Sequence, residues 1–496
     1  MSSEVLTKII GSLLFWLAVG GQHVVWAQNS SSVQTEYEVY TVGYGAIHGT
    51  TPFWHHANTY GRISSRSRAN SLTGIRGKIP YQTWGGFRIA AGTELTVRVS
   101  DIENTVHFTQ LYAALRYQAL RLRIGRFGHE TGLHDERLST GSMLVSGNAT
   151  PTPKIELSTP GYIAVPLSDG NLQLKVHWSE GRLEENRYIS RAWIHQKSLH
   201  FRVPIGTSLG IIGGATQSIQ WGGISPNGEK MVGSVQEYLD FVLNRNGGVE
   251  ENTVASFDFA ATLSYRDWGL QAYREIYLED MFLLRSAWDG LWGISLRNRS
   301  NACSTRWIDG VQYEFMNTIQ QDALPGLPRG RAGYYTHSSY RSGWTYHNNV
   351  IGNPLIRNPQ FRALGGFQTR SDLEGVEVKP NTMVIAHHLG IEGRPVARFK
   401  YEARLTYSRN YGVCQNQIIS GECGIGTGGI VPPDLETIPR SQLRQDQYAT
   451  MLNVRYLLSE AYGMRLRSSV AVDWGEFDGT QIGVMLGLQW DGTVSL

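Results

Sequence analysis

Residues 399–407 read FKYEARLTY, and they set two unlike rows of side chains on one backbone. On a strand, successive side chains point to opposite faces. Phe399, Tyr401, Ala403, Leu405 and Tyr407 therefore share one face, while Lys400, Glu402 and Arg404 share the other, with Arg398 and Thr406 extending the charged row. A soluble sheet with one face in a core gives the same alternation, so this strand alone does not separate water from lipid as the outer medium.

The pattern recurs along the chain. ELTVRVS sets Leu95, Val97 and Val99 on one face, and LQLKVHW sets Leu172, Leu174, Val176 and Trp178 opposite Gln173, Lys175 and His177. LYAALRY and LRLRIGR, separated by Gln118 and Ala119, read as a two-residue hairpin. In the C-terminal third, Leu452, Val454, Tyr456 and Leu458 alternate with polar neighbours. Val470, Val472 and Trp474 do the same, and so do Ile482, Val484, Leu486, Leu488 and Trp490. Each run has about the ~10 residues of a tilted membrane-spanning strand. RPVA and SEAYG make short connections, whereas 409–447 is one long loop between neighbouring strands. Short turns at one end and long loops at the other suit an outer-membrane barrel. A hydrated or polar-packed lumen then accepts Arg398, Lys400, Glu402, Arg404, Arg455 and Arg465, which a dry core would refuse.

Composition agrees. The net charge is +3 with 18% charged residues, and Lys and Arg are scattered rather than clustered, which argues against a nucleic-acid partner. Gly 56, Tyr 24 and Trp 14 fit a large β protein with many turns and aromatic girdles. Lys8 precedes the apolar run IIGSLLFWLAVGG, and small Ala27 before Gln28 marks a cleavage boundary, so residues 1–27 read as a secretory signal. The run falls short of the ~20 residues a spanning helix needs. Residues 28–80 then read as an N-terminal periplasmic segment leading into the barrel, and 81–496 as the barrel itself. The destination is the outer membrane of a Gram-negative bacterium, with its lipid around the wall.

Strand parity, with the last strand ending in the periplasm, sends 127–156, 218–253, 321–381 and 409–447 to the exterior. Cys414 and Cys423 share the last of these loops and are close enough to close a disulfide ring, while Cys303 falls in a periplasmic turn. Three reduced thiols are the alternative. HETGLH at 129–134 is unlike a zincin helix because its second histidine stands at i+5, so neither metal nor cofactor is expected. Glu279 and Asp280 are a pair of acids, but solvated or Arg-paired carboxylates explain them better than glycan hydrolysis. No enzyme is indicated.

Sugar recognition needs aromatic faces and planar polar groups, which the long loops supply. Arg341, Trp344, Tyr346, Asn348 and Asn349 form the densest set, with Trp221, Trp288 and Asp289 in other loops. The alternative is that these residues pack a plug and a girdle.

IHQKSLHFR (194–202), QWGG (220–223), REIYLED (274–280), WDGLWGISLR (288–297), YEFMNTI (313–319) and SGWTYHNNVIGNPL (342–355) together resemble Wzi-type capsule assembly proteins over roughly residues 80–490. The resemblance implies an outer-membrane β-barrel of about eighteen strands that binds capsular or other surface polysaccharide and helps hold it at the cell surface. It also admits the capsule export machinery as a partner. The best-known members begin with a periplasmic helical bundle, for which residues 28–80 leave little room, and the terminal VSL lacks the usual aromatic last residue. A porin-like channel for small polar or anionic solutes, lined by the lumenal arginines, is the competing expectation.

Overall fold

The structure is a computed structural model. It describes residues 34–231, 236, 238, 251–279, 286–300, 305–321, 334–337, 339–357, 362–363, 366–367, 381–412 and 444–495. The expected signal, its boundary at Ala27 and Gln28, Asp280 and all three cysteines lie outside the described residues.

Alternation becomes wall. The strands, in chain order, are β1 (Gln34–His48), β2 (Ala69–Trp84), β3 (Phe87–Ser100), β4 (Asn104–Tyr117), β5 (Leu120–Arg126), β6 (Pro153–Ser158), β7 (Ile163–Ala164), β8 (Gln173–Arg182), β9 (Trp193–Ile205) and β10 (Leu209–Trp221). They continue with β11 (Asn252–Tyr265), β12 (Trp268–Glu279), β13 (Gly290–Asn298), β14 (Arg306–Asn317), and the loop hairpins β15 (Thr345–Tyr346) with β16 (Asn349–Val350) and β17 (Arg362–Ala363) with β18 (Gly366–Phe367). β19 (Val384–Val396), β20 (Phe399–Asn410), β21 (Gln445–Ser459), β22 (Met464–Gly475) and β23 (Gln481–Ser495) complete the wall. Every wall pairing is antiparallel, and β1 closes the sheet against β23, from Gln34 opposite Ser495 to His48 opposite Ile482. β6 and β7 are two pieces of one stave, both paired to β8, so the nineteen-stranded sheet is a closed barrel of eighteen staves.

Of residues 28–80, expected to lead into the barrel from the periplasm, the described part supplies β1, most of β2 and an inward turn bearing the short helix α1 (Phe53–His56). Their alternation is hard to read because glycine and small polar residues interrupt it. At Gly74 the gap is filled from the neighbouring strand: Tyr40 lies opposite, and a Cβ on Gly74 would run into its ring. Tyr273 covers Gly293 in the same way. A ring laid over a cross-strand glycine restores the packing that the missing side chain gives up.

The outer face carries two aromatic girdles. Near the long-loop end, Trp292, Phe315, His387, Tyr407, Tyr448 and Trp474 are successive cross-strand partners on β13, β14, β19, β20, β21 and β22. Their ring centroids stand 5.2, 5.0, 6.3, 4.9 and 5.1 Å apart, a ladder across six staves. At the short-turn end Trp84, Phe87, Tyr117, Tyr265, Trp307 and Tyr462 are exposed. Between them the outer face shows Val106, Leu111, Ile124, Leu199, Ile211, Leu263, Leu405 and Leu452. Two aromatic belts around an apolar band are what a bilayer requires of a barrel wall.

Candidate functional site

The inner face is polar and covered. Lys400, Glu402 and Arg404 point inward as their alternation predicts, and neighbours occupy them: Lys400 pairs with Glu392 at 3.0 Å and Arg404 with Glu402 at 2.8 Å. Arg404 also donates to the carbonyl of Arg137 at 2.7 Å and lies 4.6 Å from the ring centroid of Trp54. Arg455 reaches Glu402 at 3.9 Å and Arg465 pairs with Asp491. Arg398 differs, standing exposed in the turn between β19 and β20.

The residues that cover them come from three connections of the long-loop end. α1 is tied to the wall by Phe53 N–H to Asp473 at 2.6 Å, Trp54 Nε1–H to Thr406 at 3.1 Å, and His55 to Ser469 at 3.0 Å. Residues 127–152 enter the lumen and are held by wall carboxylates. Glu314 accepts from Thr140 N–H at 2.7 Å and its hydroxyl at 2.8 Å, and Glu275 accepts from Met143 N–H at 3.0 Å and Ser142 Oγ at 2.9 Å. Residues 334–357 complete the plug: Tyr335 N–H donates to Glu279 at 3.0 Å, and Tyr334 donates to Asp289 at 2.8 Å. Charged acceptors on buried amides make the stronger class of hydrogen bond, so these inward acids serve as loop anchors. Glu279, expected from sequence to be solvated or Arg-paired, is buried, and its oxygens take a loop amide and Tyr277. Burial raises the Asp289 carboxyl to about 6, against the pull of donors from Gln321, Tyr334 and Gln320.

One apolar cluster knits the connections together. Phe53, Trp54, Met143, Leu144, Tyr277, Tyr334, Tyr335, Tyr340 and Trp344 are all buried in it. Trp344, selected for sugar stacking, is 0% exposed and donates Nε1–H to the carbonyl of Leu144 at 2.7 Å. Tyr346 and Asp289 are buried as well. A ring with no free face cannot stack on a sugar, so these three residues hold the plug. Trp288 is 66% exposed, but on the outer wall beside Trp292, with centroids 6.2 Å apart, where it extends the girdle. Trp221 donates to Glu180 at 2.8 Å and stacks on Trp193. Of the chosen set, Asn348 is exposed at the β15–β16 tip, Asn349 is half-buried beside it, and half-buried Arg341 lies 4.8 Å from the ring centroid of Tyr188. The eight residues do not converge on one surface.

The HETGLH segment lies in the plug. His129 stacks face to face on His177 at 4.0 Å and 7°, and His134 bonds Glu130 at 3.1 Å. His129, His177 and Glu156 lie near enough to suggest a metal. Their chemistry does not fit one: lone pairs of parallel stacked rings do not converge, and Arg121 and Arg123 already hold Glu156 at 3.1 and 2.6 Å. Burial opposes charge on His134, yet the hydrogen bond and charge of Glu130, with Glu314 and Glu275 beyond, outweigh it and lift the pKa to about 9.

With this geometry in view, the profile of the capsule assembly protein Wzi family matches residues 24–367. The chain belongs to that family. Its fold is shared with the structure of Wzi, an outer membrane protein involved in group 1 capsule assembly in Escherichia coli and a carbohydrate binding β-barrel. That structure is 13% identical, the match covers 91% of this chain and 83% of that one, and the TM-score is 0.55. OccAB4 of Acinetobacter baumannii is 9% identical over 94% of this chain and 99% of its own, at TM-score 0.45. A ribosomal RNA large subunit methyltransferase K/L of Allochromatium vinosum is 30% identical over 128 residues, and the chain spans only 16% of that relative's length. Like its family, the protein is an outer-membrane β-barrel.

Proposed function

We propose that the protein binds capsular or other surface polysaccharide at its long-loop end and helps anchor it at the cell surface, without catalysing a reaction on it. The observation that carries this reading is the plug. Three connections enter and obstruct the lumen, and wall carboxylates hold each of them by a backbone amide. A channel needs a continuous water path, whereas a rigid plug suits a barrel whose work is done on its outer end. Family membership supports the capsular ligand. Arg341, Asn348 and Asn349 keep their proposed role in contact with sugar, while Trp344, Tyr346 and Asp289 fix the loop that presents them.

The test compares cell-attached with shed polysaccharide in a deletion strain complemented by the parent or by a variant carrying Arg341→Ala and Asn348→Ala. The deletion is expected to shed polysaccharide without stopping its synthesis. The double variant should fall between deletion and parent, since a central contact contributes on the order of 1 kcal/mol or more. Unchanged attachment in the deletion strain would remove the capsule role.

A further inference from the structure

A cavity of about 250 Å³ lies inside the barrel beside α1, lined by Tyr40, Tyr44, Arg62, Arg404, Arg455 and Arg467 among others. Glu402, Arg404, Asn453, Arg455 and Arg467 come from the short-turn halves of β20, β21 and β22. The cavity's wall side chains therefore lie on the short-turn side of the plug, and it carries an unusual charge distribution. Four arginines line it against one carboxylate, Glu402. Glu94, outside the lining, offsets Arg62 at 2.7 Å, and Glu402 is engaged by Arg404 at 2.8 Å.

Two cations remain, and the sheet places them face to face. Arg455 and Arg467 are direct cross-strand partners, and Lys400 is the partner of Arg455 on its other side. Like charges directly opposite on a sheet destabilise it. Arg455 has only the distant oxygen of Glu402 at 3.9 Å. Arg467 has no hydrogen-bond or ion-pair partner among the described residues, and its Nε is buried and unpaired, as is Asn453 Oδ1 nearby. Buried donors are nearly always satisfied, so the unpaired Nε of half-buried Arg467, set beside Arg455 whose side chain is 42% exposed to the lumen, points to an acceptor that arrives from outside. Val42, Ile63, Leu72, Met451 and Met485 give the same cavity an apolar wall.

We infer that this chamber binds an anionic saccharide unit, whose carboxylate bridges Arg455 and Arg467 while its ring lies against the apolar wall. The negative charge follows from the arginine pair; the sugar rests on the polysaccharide reading above. The bridging group neutralises both cations, as a planar carboxylate can when guanidinium forks face it.

The experiment is calorimetric titration of the full chain in detergent at fixed low salt. The probes are an oligosaccharide bearing one glucuronate, the same oligosaccharide with that carboxyl reduced to the alcohol, and inorganic phosphate. The acidic probe is expected to bind at least tenfold more tightly than the reduced one. Arg467→Gln and Arg455→Gln should each weaken it at least tenfold, and Arg465→Gln, engaged with Asp491 outside the cavity, should change it less than twofold. Folding is followed by the midpoint of thermal unfolding, which Arg467→Gln should hold or raise in the absence of probe because it removes the repulsion. Equal affinity for the acidic and reduced probes overturns the assignment, and so does binding of phosphate alone. Loss of binding in Arg341→Ala with none in Arg467→Gln overturns the chamber and leaves the surface reading standing. Loss in Arg467→Gln beside a deletion strain that keeps its capsule does the reverse.

Discussion

Among single residues, Trp344 best separates a plug from a binding platform. Replacing it with alanine removes a buried ring and leaves the Leu144 carbonyl without its donor. The expected loss is about 3–5 kcal/mol of loop stability, visible as protease cleavage within 334–357 while the barrel stays inserted. Sequence could nominate Trp344 but not orient it, because aromatic residues among glycines and asparagines compose both plugs and sugar platforms; only the amides of Thr140, Met143 and Tyr335 finding wall carboxylates decides which. His134 gives a second residue-level prediction. Its folded pKa, about 9, exceeds the ordinary imidazole value, so its contribution is whole below about 6.5 and fades as pH climbs through 9. Protease sensitivity of the 127–152 loop should therefore rise between pH 7 and 10, with on the order of 1–3 kcal/mol at stake, and His134→Gln should be sensitive already at pH 7 and flat above it.

At the level of elements, the aromatic ladder makes neighbouring staves depend on each other. Tyr448 stacks on Tyr407 to one side and Trp474 to the other. Tyr448→Ala breaks two such pairs, each contributing about 0.5–1.5 kcal/mol beyond area burial. Its thermal midpoint in lipid should fall below that of Leu452→Ala, a lipid-facing change on the same strand that breaks no ring pair. Strands such as β20 and β23 were legible because an aliphatic or aromatic row faced a polar one without interruption. β1 and β2 were not, since the glycines of VGYG and LTGIRG interrupt the alternation; the ring that covers Gly74 comes from Tyr40 on the neighbouring strand, and single-strand periodicity holds no trace of a neighbour.

For the whole molecule, the plug predicts electrical silence. The intact chain in a planar bilayer should conduct little at neutral pH, while a variant lacking residues 134–147, which carry most of the wall-acid anchors, should give stable openings. Steady open-channel currents from the parent chain would restore the channel reading. The barrel class and the inward direction of Lys400, Glu402 and Arg404 were readable from alternation, which is a local property. The contents of the lumen were not, because Ser139 and Glu314 meet across 175 positions of chain and no local pattern announces such a meeting.

The seam between β1 and β23 sets a timetable. Gln34 and Ser495 are partners, so the stave that emerges first must wait, with one edge bare, for the stave that emerges last. Loop closure over so many residues costs entropy before any hydrogen bond is returned. Until then the nascent sheet is an open ribbon with adhesive margins. A chaperone or insertion catalyst that shields the β1 edge would therefore govern yield more than any interior contact does, and a fault in β23 would be felt first at β1.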